Sequence, residues 1–528
     1  MMNPMKIFMP PLKQRIPFIK YLIFFITSAF YLINPCSSQV WPKVYHYNFH
    51  VYFENSKEDY DKGYLICGNH LLNVNKIQFG LIIKTDINGN KLWEKRYGDV
   101  EESTYFSHME KTPDGGAIFS GATTENDVIY DPLFLKVNAC YRVEWCKIIA
   151  SPSYNLGSYV RILPDGSYIG MMRYYNVNGK EIRISLIKFD ATGEPVWIQA
   201  LVQEDTTINN AEGFHLLVTS NTNFLVSGDD GGPTPLFVFT DSAGVQEWEL
   251  KWGGEQHIWG GAFCSVEKDN GIFYSAGTRI CENGPPGPAI FKFNSAGEQL
   301  DDFCLLGDTI YYGWALPLCV YNDSTFLVGI EWENYTYEEG FSEIFMIDTL
   351  GTINNRRLLL EEKRSPDDII KTFDDKILVG GNYVVTDTWD IHLFKLNDNL
   401  EDDTLYPYPL NYDTLCSYQI PSDTIGLNCG VFVNIDEIPT KEEHESTIKI
   451  SPNPAREWIT ISLPLIVSPE ISEFRIYDIF GREVLKNRIG PGNKTLSLDI
   501  SNLSPGFYMM ICMGSDKRIL KGKFVVAP

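Results

Sequence analysis

Residues 86–93, Asp86-Ile87-Asn88-Gly89-Asn90-Lys91-Leu92-Trp93, carry the pattern that decides the fold: an acid, two residues, a glycine, three residues and a tryptophan. The pattern returns intact at Asp190 and Asp241, and eroded copies begin at Asn138, Asn294, Asp348 and Asn397. Successive copies start 52, 52, 51, 53, 54 and 49 residues apart. A constant period of this length is typical of an array of small β units. The seven copies therefore predict a repeat body.

A second repeated phrase lies between these copies and consists of a turn followed by a short apolar strand that ends near a glycine. Its seven copies occupy residues 63–68, 114–121, 165–170, 223–228, 270–277, 324–329 and 375–380. Asp-Gly and Asn-Gly pairs between apolar runs are strong hairpin signals, because glycine tolerates the positive φ of tight turns. Each unit is therefore expected to hold two hairpins, or four strands.

Several strands of these units, such as 236–239 and 344–347, are continuous apolar runs that must be covered on both faces. Radial packing of four-stranded sheets covers both faces and leaves only short edges. We therefore predict an all-β protein, with a seven-bladed β-propeller over residues 39–405 followed by a small antiparallel β-sandwich.

The residues of the leading phrase have a structural interpretation in such a body. Its acid accepts a backbone hydrogen bond in the turn, its glycine takes the left-handed position, and its tryptophan packs between blades. A rival interpretation is a calcium loop formed by Asp86, Asn88, Asn90 and Glu94. Other copies place Ala, Thr or Glu at the second and third ligand positions, which disfavours an ion site.

The ends of the chain indicate its destination. Lys6, Lys13, Arg15 and Lys20 precede a 13-residue apolar run at 21–33, and small residues follow at 36–38. This arrangement predicts a signal peptide over residues 1–38, export through the periplasm and outer membrane, and no membrane span after cleavage. A buried N-terminal helix and a lipoprotein anchored at Cys36 are the alternatives. The net charge of −24 argues against a nucleic-acid partner, since no basic stripe is present to neutralise phosphates.

Export also changes how the eleven cysteines are interpreted, because an oxidising compartment permits disulfides. Cys140 and Cys146 flank a predicted hairpin turn and could face one another across it. Cys416 and Cys429 bracket a proline-containing loop in the same way. The sequence establishes neither pairing.

The composition shifts after the last repeat. Residues 406–448 form a predicted extension and linker, within which 441–446 is a charged boundary. Residues 449–528 then show short alternating strands separated by turn residues, the pattern of a small sandwich. Four phrases stand out in this region: Ser-Pro-Asn-Pro-Ala at 451–455, Tyr-Asp-Ile-Phe-Gly-Arg-Glu-Val at 477–484, Leu-Ser-Pro-Gly-Phe-Tyr at 503–508, and a basic-aromatic end at 521–526.

These phrases, in this order, resemble the type A C-terminal sorting domain of the Bacteroidota type IX secretion system. The matching motif residues are Pro452, Asn453, Pro454, Tyr477, Asp478, Gly481, Gly506 and Tyr508. The resemblance implies delivery through the type IX secretion machinery, followed by removal of the domain and surface attachment or release. A secreted or cell-surface protein is the expected outcome.

No H-E-x-x-H, G-x-S-x-G or phosphate-binding loop occurs, and the eight histidines lack ligand spacing, so we expect no metal, no cofactor and no catalytic residues. The repeat spacing also resembles the blades of pyrroloquinoline-quinone dehydrogenases. That resemblance would imply a quinone-dependent oxidoreductase, but no residue here matches the cofactor contacts. Paired carboxylates at 229–230, 301–302, 367–368 and 374–375 leave a glycosidase as another alternative.

Aromatic residues cluster in two connections that follow the tryptophan phrase. Trp252 and Trp259 lie in one, and Tyr312 and Trp314 lie in the other. Exposed aromatic side chains of this kind stack on sugars or anchor a protein partner, although packing between blades is the competing role. We expect a non-enzymatic binding or adhesion protein with a glycan or protein ligand at the propeller face. The alternative is a secreted hydrolase acting on polysaccharide or peptide.

Overall fold

The computed structural model describes residues 41–72, 77–124, 130–150, 156–175, 182–201, 211–231, 234–253, 260–269, 271–281, 286–305, 311–334, 340–361, 365–385, 388–432, 449–462, 471–478, 482–487, 495–514 and 519–527. These residues form β-strands throughout, which confirms the all-β class. Within the same ranges no helix is long and apolar enough to cross a membrane. The predicted signal peptide, Trp259 and Gly481 lie outside the described residues.

The body contains seven sheets among its described strands. After β1 (Lys43–Tyr45), sheet 1 is β2 (Val51–Glu58), β3 (Tyr64–Leu72), β4 (Ile77–Thr85) and β5 (Lys91–Tyr97). Sheet 2 is β6 (Ser103–Lys111), β7 (Ala117–Thr124), β8 (Asp131–Val137) and β9 (Val143–Ile149). Sheet 3 is β10 (Leu156–Ile162), β11 (Tyr168–Tyr175), β12 (Ile182–Phe189) and β13 (Pro195–Ala200).

Four further sheets follow in the same antiparallel order. Sheet 4 is β14 (Glu212–Val218), β15 (Phe224–Asp229), β16 (Pro235–Thr240) and β17 (Gln246–Lys251); sheet 5 is β18 (Gly261–Asp269), β19 (Ile272–Ile280), β20 (Pro286–Asn294) and β21 (Gln299–Cys304). Sheet 6 is β22 (Tyr311–Asn322), β23 (Thr325–Asn334), β24 (Gly340–Asp348) and β25 (Ile353–Leu360). Sheet 7 is β26 (Pro366–Lys371), β27 (Ile377–Val385) and β28 (Thr388–Leu396), and β1 pairs with β28 as its fourth strand.

The sheets follow one another in a closed, propeller-like ring. The first strand of each sheet contacts the first strand of the next, from β2 and β6 through to β22 and β26, and β26 contacts β2 again. We call these seven first strands the inner strands. A separate hydrophobic cluster fills the space between each pair of neighbouring sheets, including sheets 7 and 1. The apolar runs in the sequence are thus covered on both faces by adjacent sheets.

The seam between sheets 7 and 1 is closed by hydrogen bonds as well as by packing. The side chain of Asn382 accepts from the Phe53 N–H at 2.7 Å and donates to the Phe53 carbonyl at 3.1 Å. Asp368 accepts from the Ser56 N–H at 2.8 Å. Because β1 comes from the start of the body and β28 from its end, their pairing ties the two ends of the ring together.

The leading phrase forms the turn before the outermost strand of a sheet. In the first copy Asp86 Oδ1 accepts from the N–H groups of Asn88 and Asn90, each at 2.8 Å, and Gly89 has φ 73°. The predicted turn roles of the acid and the glycine are confirmed. The oxygens of the rival calcium loop are already engaged, since Asn88 Oδ1 accepts from Tyr406 N–H and Glu94 Oε2 from the Tyr47 hydroxyl. No group of side chains suited to a metal ion occurs among the described residues.

The tryptophan of four copies, and an aromatic residue elsewhere in two further sheets, packs on the turn of the next sheet. Trp93 lies on Tyr141, with ring centroids 4.6 Å apart, and Tyr141 takes the left-handed position that glycine has in other copies. A Cβ added at the turn glycine would meet an aromatic ring in five further pairs: Gly193 and Trp145, Gly244 and Trp197, Gly297 and Trp248, Gly351 and Phe303, and Gly89 and Trp41. These six aromatic contacts, which we call latches, join six of the seven pairs of neighbouring sheets.

Residues 401–432, which we call the strap, run back along the outer edges of sheets 1 and 2. Within the strap β29 (Asp423–Ile425) pairs in parallel with β5, and β30 (Gly430–Phe432) pairs in parallel with β9. Disulfides join Cys140 to Cys416 and Cys146 to Cys429. The pairings expected across the hairpin and across the loop are therefore wrong, because the strap brings each of its cysteines beside an outer strand. A third disulfide joins Cys281 to Cys304.

The C-terminal residues form two further sheets. One contains β31 (Lys449–Ser451), β32 (Trp458–Ser462) and β35 (Thr495–Asp499). The other contains β34 (Glu483–Asn487), β33 (Ile471–Asp478), β36 (Gly506–Gly514) and β37 (Ile519–Val526). Both sheets contribute to one hydrophobic cluster that includes Ile459, Phe474 and Phe524.

Candidate functional site

Every inner strand carries a β-bulge at the equivalent position. In sheet 1 Phe53 pairs with Gly68 and Asn55 with Cys67, so that Glu54 is left without an opposing residue. The residues in this position around the ring are Glu54, Ser107, Ser158, Phe214, Phe263, Leu316 with Pro317, and Asp367. We call this set the bulge ring. Because a bulge re-aims the extra side chain, it is a common device next to functional sites.

Glycines on the second strands make room for these bulges. A Cβ added at Gly121 would lie 2.0 Å from the carbonyl oxygen of Tyr105, which stands two residues before the bulge residue Ser107. The same approach to an inner-strand carbonyl, at 1.8 to 2.1 Å, occurs at Gly68, Gly228, Gly277 and Gly381. In four copies, at Gly68, Gly121, Gly228 and Gly277, the glycine that ends the second repeated phrase is thus required by the inner bulge.

The bulge ring lines one cavity of about 660 Å³, to which all seven inner strands contribute. Its side chains divide into two arcs. Sheets 7, 1, 2 and 3 supply the polar arc, and sheets 4, 5 and 6 supply the apolar arc; in that order the residues are Asp367, Glu54, Ser107, Ser158, Phe214, Phe263, Leu316 and Pro317. Phe214 and Phe263 pack together with ring centroids 5.3 Å apart. A cavity with apolar walls and a few convergent polar groups is the usual form of a small-ligand site.

Two carboxyl groups of the polar arc have strongly raised pKa values. Burial, followed by the nearby charge of Asp367, raises the pKa of Glu54 to about 8. Burial likewise raises the pKa of Asp367 to about 7. Each accepts an amide hydrogen bond, Glu54 from Asn69 at 2.9 Å and Asp367 from Asn382 at 2.7 Å. Within the described residues neither carboxyl is paired with a basic side chain. A shared cavity and mutual repulsion mark them as candidate functional groups.

Charged side chains further along the inner strands form ion pairs with one another. Glu110 contacts Arg161 and lies 3.6 Å from Lys57 Nζ. Burial on its own would raise the pKa of Glu110, but Lys57 and Arg161 outweigh burial and hold this pKa below its usual value. Arg161 also donates to the Leu216 carbonyl at 3.1 Å. Glu110 therefore pairs with both basic side chains of the cavity and offsets part of their positive charge.

Two buried histidines lie beside this ion group. His108 stacks on Tyr159 with ring centroids 3.6 Å apart, and His215 meets the other edge of Tyr159 at 4.9 Å. Burial, and then the positive charge of Arg161, holds the pKa of both histidines well below its usual value, so both are neutral at pH 7. His108 lines the cavity, is 3% exposed, and has an Nδ1 atom without a hydrogen-bond partner in the described part of the chain.

The structure separates the aromatic residues that the sequence grouped together. Trp252 is 3% exposed, packs on Phe237 and Phe291, and donates its indole N–H to Asp302 at 2.8 Å. Tyr312 and Trp314 lie on β22, before its bulge, with ring centroids 6.5 Å apart. Ligand binding by these residues stays a prediction, and Trp252 offers a ligand almost no exposed surface.

The four carboxylate pairs also separate. Asp367 and Asp368 line the cavity. Asp302 is engaged by Trp252 and Arg279, and Asp374 forms an ion pair with the buried Lys395 at 2.7 Å. Sequence reasoning did not single out Glu54, Phe214 or Phe263. The bulge residues do recur, at intervals of 53, 51, 56, 49, 53 and 51 residues, but their side chains differ in chemistry and so form no motif.

The described sorting-motif residues hold the C-terminal sheets together. Asn453 accepts from the Val525 N–H at 2.9 Å and donates to the Lys523 carbonyl at 3.3 Å, which fixes the 452–454 segment beside β37. Asp478 accepts from the Arg482 N–H at 3.0 Å. Tyr508, two residues after Gly506, stacks on Phe524 and donates its hydroxyl to the Ser504 carbonyl at 2.7 Å. Tyr477 pairs with Met509.

Residues 449–527 match the family model of the secretion system C-terminal sorting domain. The resemblance found in the motifs is confirmed, and the domain directs this protein to the cell surface or the medium through the type IX secretion machinery. No curated protein matches the chain.

Among solved structures the chain is similar to several all-β folds at low identity. A protein of unknown function from Dyadobacter fermentans is 10% identical, with a TM-score of 0.41 over 56% of this chain and 96% of that one. A family PL25 ulvan lyase is 9% identical, with a TM-score of 0.44 over 67% and 95%. The GH93 α-L-arabinofuranosidase of Fusarium graminearum is 10% identical, with a TM-score of 0.37 over 66% and 95%. These likenesses are too distant to bear on function.

Proposed function

We propose that this protein is an exported binding protein whose ligand enters the channel of a seven-bladed β-propeller and is held at the bulge ring. The proposed organisation is a signal peptide at 1–38, the propeller at 39–405, an extension and linker at 406–448, and a sorting domain folded as a β-sandwich at 449–528. The ring of inner-strand contacts and the seven inter-sheet cores support the propeller.

One observation carries the binding proposal: seven bulges at equivalent positions direct unlike side chains into a single cavity. Packing between sheets does not by itself require polar side chains on one side of the cavity and apolar side chains on the other. Phenylalanine rings supply a flat apolar surface, and hydroxyl and carboxyl groups fix orientation. Tyr312 and Trp314, four and two residues before Leu316, would extend the apolar arc toward the start of the inner strands.

The proposal is tested with the full secreted chain against a panel of saccharides, peptides and organic amines, followed by thermal shift and then calorimetry. We expect at least one class to bind, and binding to weaken more than tenfold in Phe214→Ala. Phe373→Ala is the matched control, because Phe373 is 42% exposed and does not line the cavity. Equal binding by both variants would place the ligand elsewhere on the protein.

A second candidate function is hydrolysis of a polysaccharide or peptide, and the Glu54 and Asp367 carboxyl groups favour it. A general acid must hold a proton at working pH, and raised pKa values of about 8 and about 7 provide this. Product release from a glycan or peptide panel, abolished by Asp367→Asn and kept by Asp301→Asn, would establish catalysis. Binding without turnover would leave the first proposal in place.

A further inference from the structure

The charge of the cavity is the starting point. Four acidic side chains line it, Glu54, Glu267, Asp367 and Asp368, against two basic ones, Lys57 and Arg161. Glu267 accepts from Ser220 and from the Gly271 N–H, and Asp368 accepts from the Ser56 N–H and hydroxyl.

Lys57 and Arg161 are in turn engaged by Glu110. His108 and His215 are neutral, as shown above. Asp368 is stabilised by the charge of Lys57, whereas Glu54 and Asp367, like Glu267, form no ion pair within the described structure.

Two half-buried carboxyl groups without a counter-ion are disfavoured in the ionised form, and they keep a proton instead. An incoming cation would favour the ionised form of these carboxyl groups, because it supplies the missing opposite charge. The facing wall is apolar, with Phe214 and Phe263 opposite the carboxyl groups across the ring. Aromatic rings also attract organic cations and their aliphatic stems.

A separate observation points to a donor-bearing ligand in the same cavity. His108 is buried, and its Nδ1 atom has no hydrogen-bond partner among the described residues. A buried nitrogen of this kind is normally satisfied, and because Nδ1 is itself inaccessible to solvent it would accept from a ligand only after the imidazole ring turns toward the cavity. An ammonium or guanidinium group carries several N–H donors, and a carboxylate or phosphate ligand carries none.

From the cavity's unpaired acids, facing phenylalanines and unsatisfied histidine we infer that the channel selects an organic cation, an ammonium or guanidinium group carried on an apolar stem. This inference rests on the proposed binding function. The cation lies against Glu54 and Asp367, and its stem lies against Phe214 and Phe263. The same charge balance disfavours anions and gives neutral saccharides no electrostatic gain.

Binding has a defined proton balance. At pH 7.5 the ligand enters as the protonated amine, a protonated carboxyl group of the pair becomes a carboxylate beside it, and one proton passes to the buffer. Titration calorimetry in phosphate and in Tris measures this release directly, because the two buffers have different ionisation enthalpies.

The experiment compares benzylamine with benzyl alcohol, which has nearly the same shape and no charge. We expect benzylamine to bind at least tenfold more tightly, with close to one proton released, and Glu54→Gln to remove most of that preference. Glu247→Gln, an exposed acid outside the cavity, is the matched control. Because Glu54→Gln could disturb folding, Phe263→Leu serves as a second variant, and circular dichroism checks both. Phe263→Leu should weaken the binding of benzylamine, while proton release on binding persists.

Two further arms identify the source of the cation and separate the possible failures. A Gly-Lys-Gly peptide blocked at both ends tests whether a lysine side chain is accepted as well as a free amine. If glucose or benzyl alcohol binds at the bulge ring as tightly as benzylamine, the inference is overturned while the channel remains a binding site. If no member of the panel binds, and no cavity variant changes any ligand response, the binding function itself fails.

Discussion

The outer turns and the inner bulges of the body repeat with the same period but under opposite rules. At the outer turns both backbone and side chains recur, as in Gly193 beneath Trp145 and Gly244 beneath Trp197. At the inner bulges only the backbone recurs, and the side chains range from Glu54 to Phe263. The difference teaches that the repeat preserves the packing between sheets and leaves the channel free to vary. We therefore place the proposed ligand site where the copies differ.

The largest expected effect concerns the strap that covers the outer edges. Cys416→Ser combined with Cys429→Ser removes both strap disulfides and opens loops of 276 and 283 residues, whereas Cys304→Ser opens one of 23. Chain entropy predicts a loss of more than about 5 kcal/mol in the free energy of unfolding for the double variant and roughly 3 kcal/mol for Cys304→Ser. Urea denaturation of the oxidised proteins measures both, and Cys319→Ser is the control because Cys319 is a free thiol. A smaller loss for the double variant than for Cys304→Ser would show that the strap does not hold sheets 1 and 2.

The latch side chains come next. Trp93 is 3% exposed, packs on Tyr141 and donates to Asp413 in the strap at 2.9 Å. Trp93→Ala should lower the free energy of unfolding by about 3–5 kcal/mol, because it leaves a cavity between sheets 1 and 2. Leu92→Ala, at a neighbouring residue that is 40% exposed, should cost less than about 1 kcal/mol. Equal losses in urea denaturation would contradict the latch.

Two glycines of the second repeated phrase separate what the inner bulge requires from what the turn before the strand requires. Gly121→Ala places a Cβ against the Tyr105 carbonyl and should cost about 2–3 kcal/mol, because backbone must move. Gly166 has φ 80° and open space around it, so Gly166→Ala should cost only about 1 kcal/mol for the left-handed backbone. Thermal denaturation ranks the two variants. The reverse order would mean that the bulge tolerates displacement.

The smallest effect is a dependence of stability on pH that comes from the channel. The folded-state pKa of Glu54 is about 8, above its ordinary value, so the folded protein keeps a proton that the unfolded chain releases. Stability should therefore fall as pH rises from about 4.5 to about 8.

Glu54→Gln reduces this dependence, to which Asp367 also contributes through its raised pKa, and should gain about 1–2 kcal/mol of stability over wild type at pH 8 relative to pH 4.5. Urea denaturation at the two pH values measures the difference, and Glu247→Gln should behave as wild type. A flat profile in the wild-type protein would mean that Glu54 is ionised in the fold.

Much of the fold could be predicted from particular residues. The Asp86 turn, the left-handed Gly89 and the packing role of Trp93 follow from local chemistry, since Asp and Gly stabilise a turn within four residues of chain. The sorting motif around Pro452 and Asp478 could be recognised for the same reason. The bulge ring could not, because a bulge depends on pairing between two strands. Its one trace in the sequence is the glycine at 68, 121, 228 and 277.

By itself the sequence determined the period, the all-β class and the destination, because each is written in residues that are close together along the chain. Only the tertiary structure decided which cysteines join and which side chains share the channel. Cys140 and Cys416 are 276 residues apart, and Glu54 meets Asp367 only because the ring closes. Contacts between distant residues depend on how the sheets pack, and no local pattern encodes them.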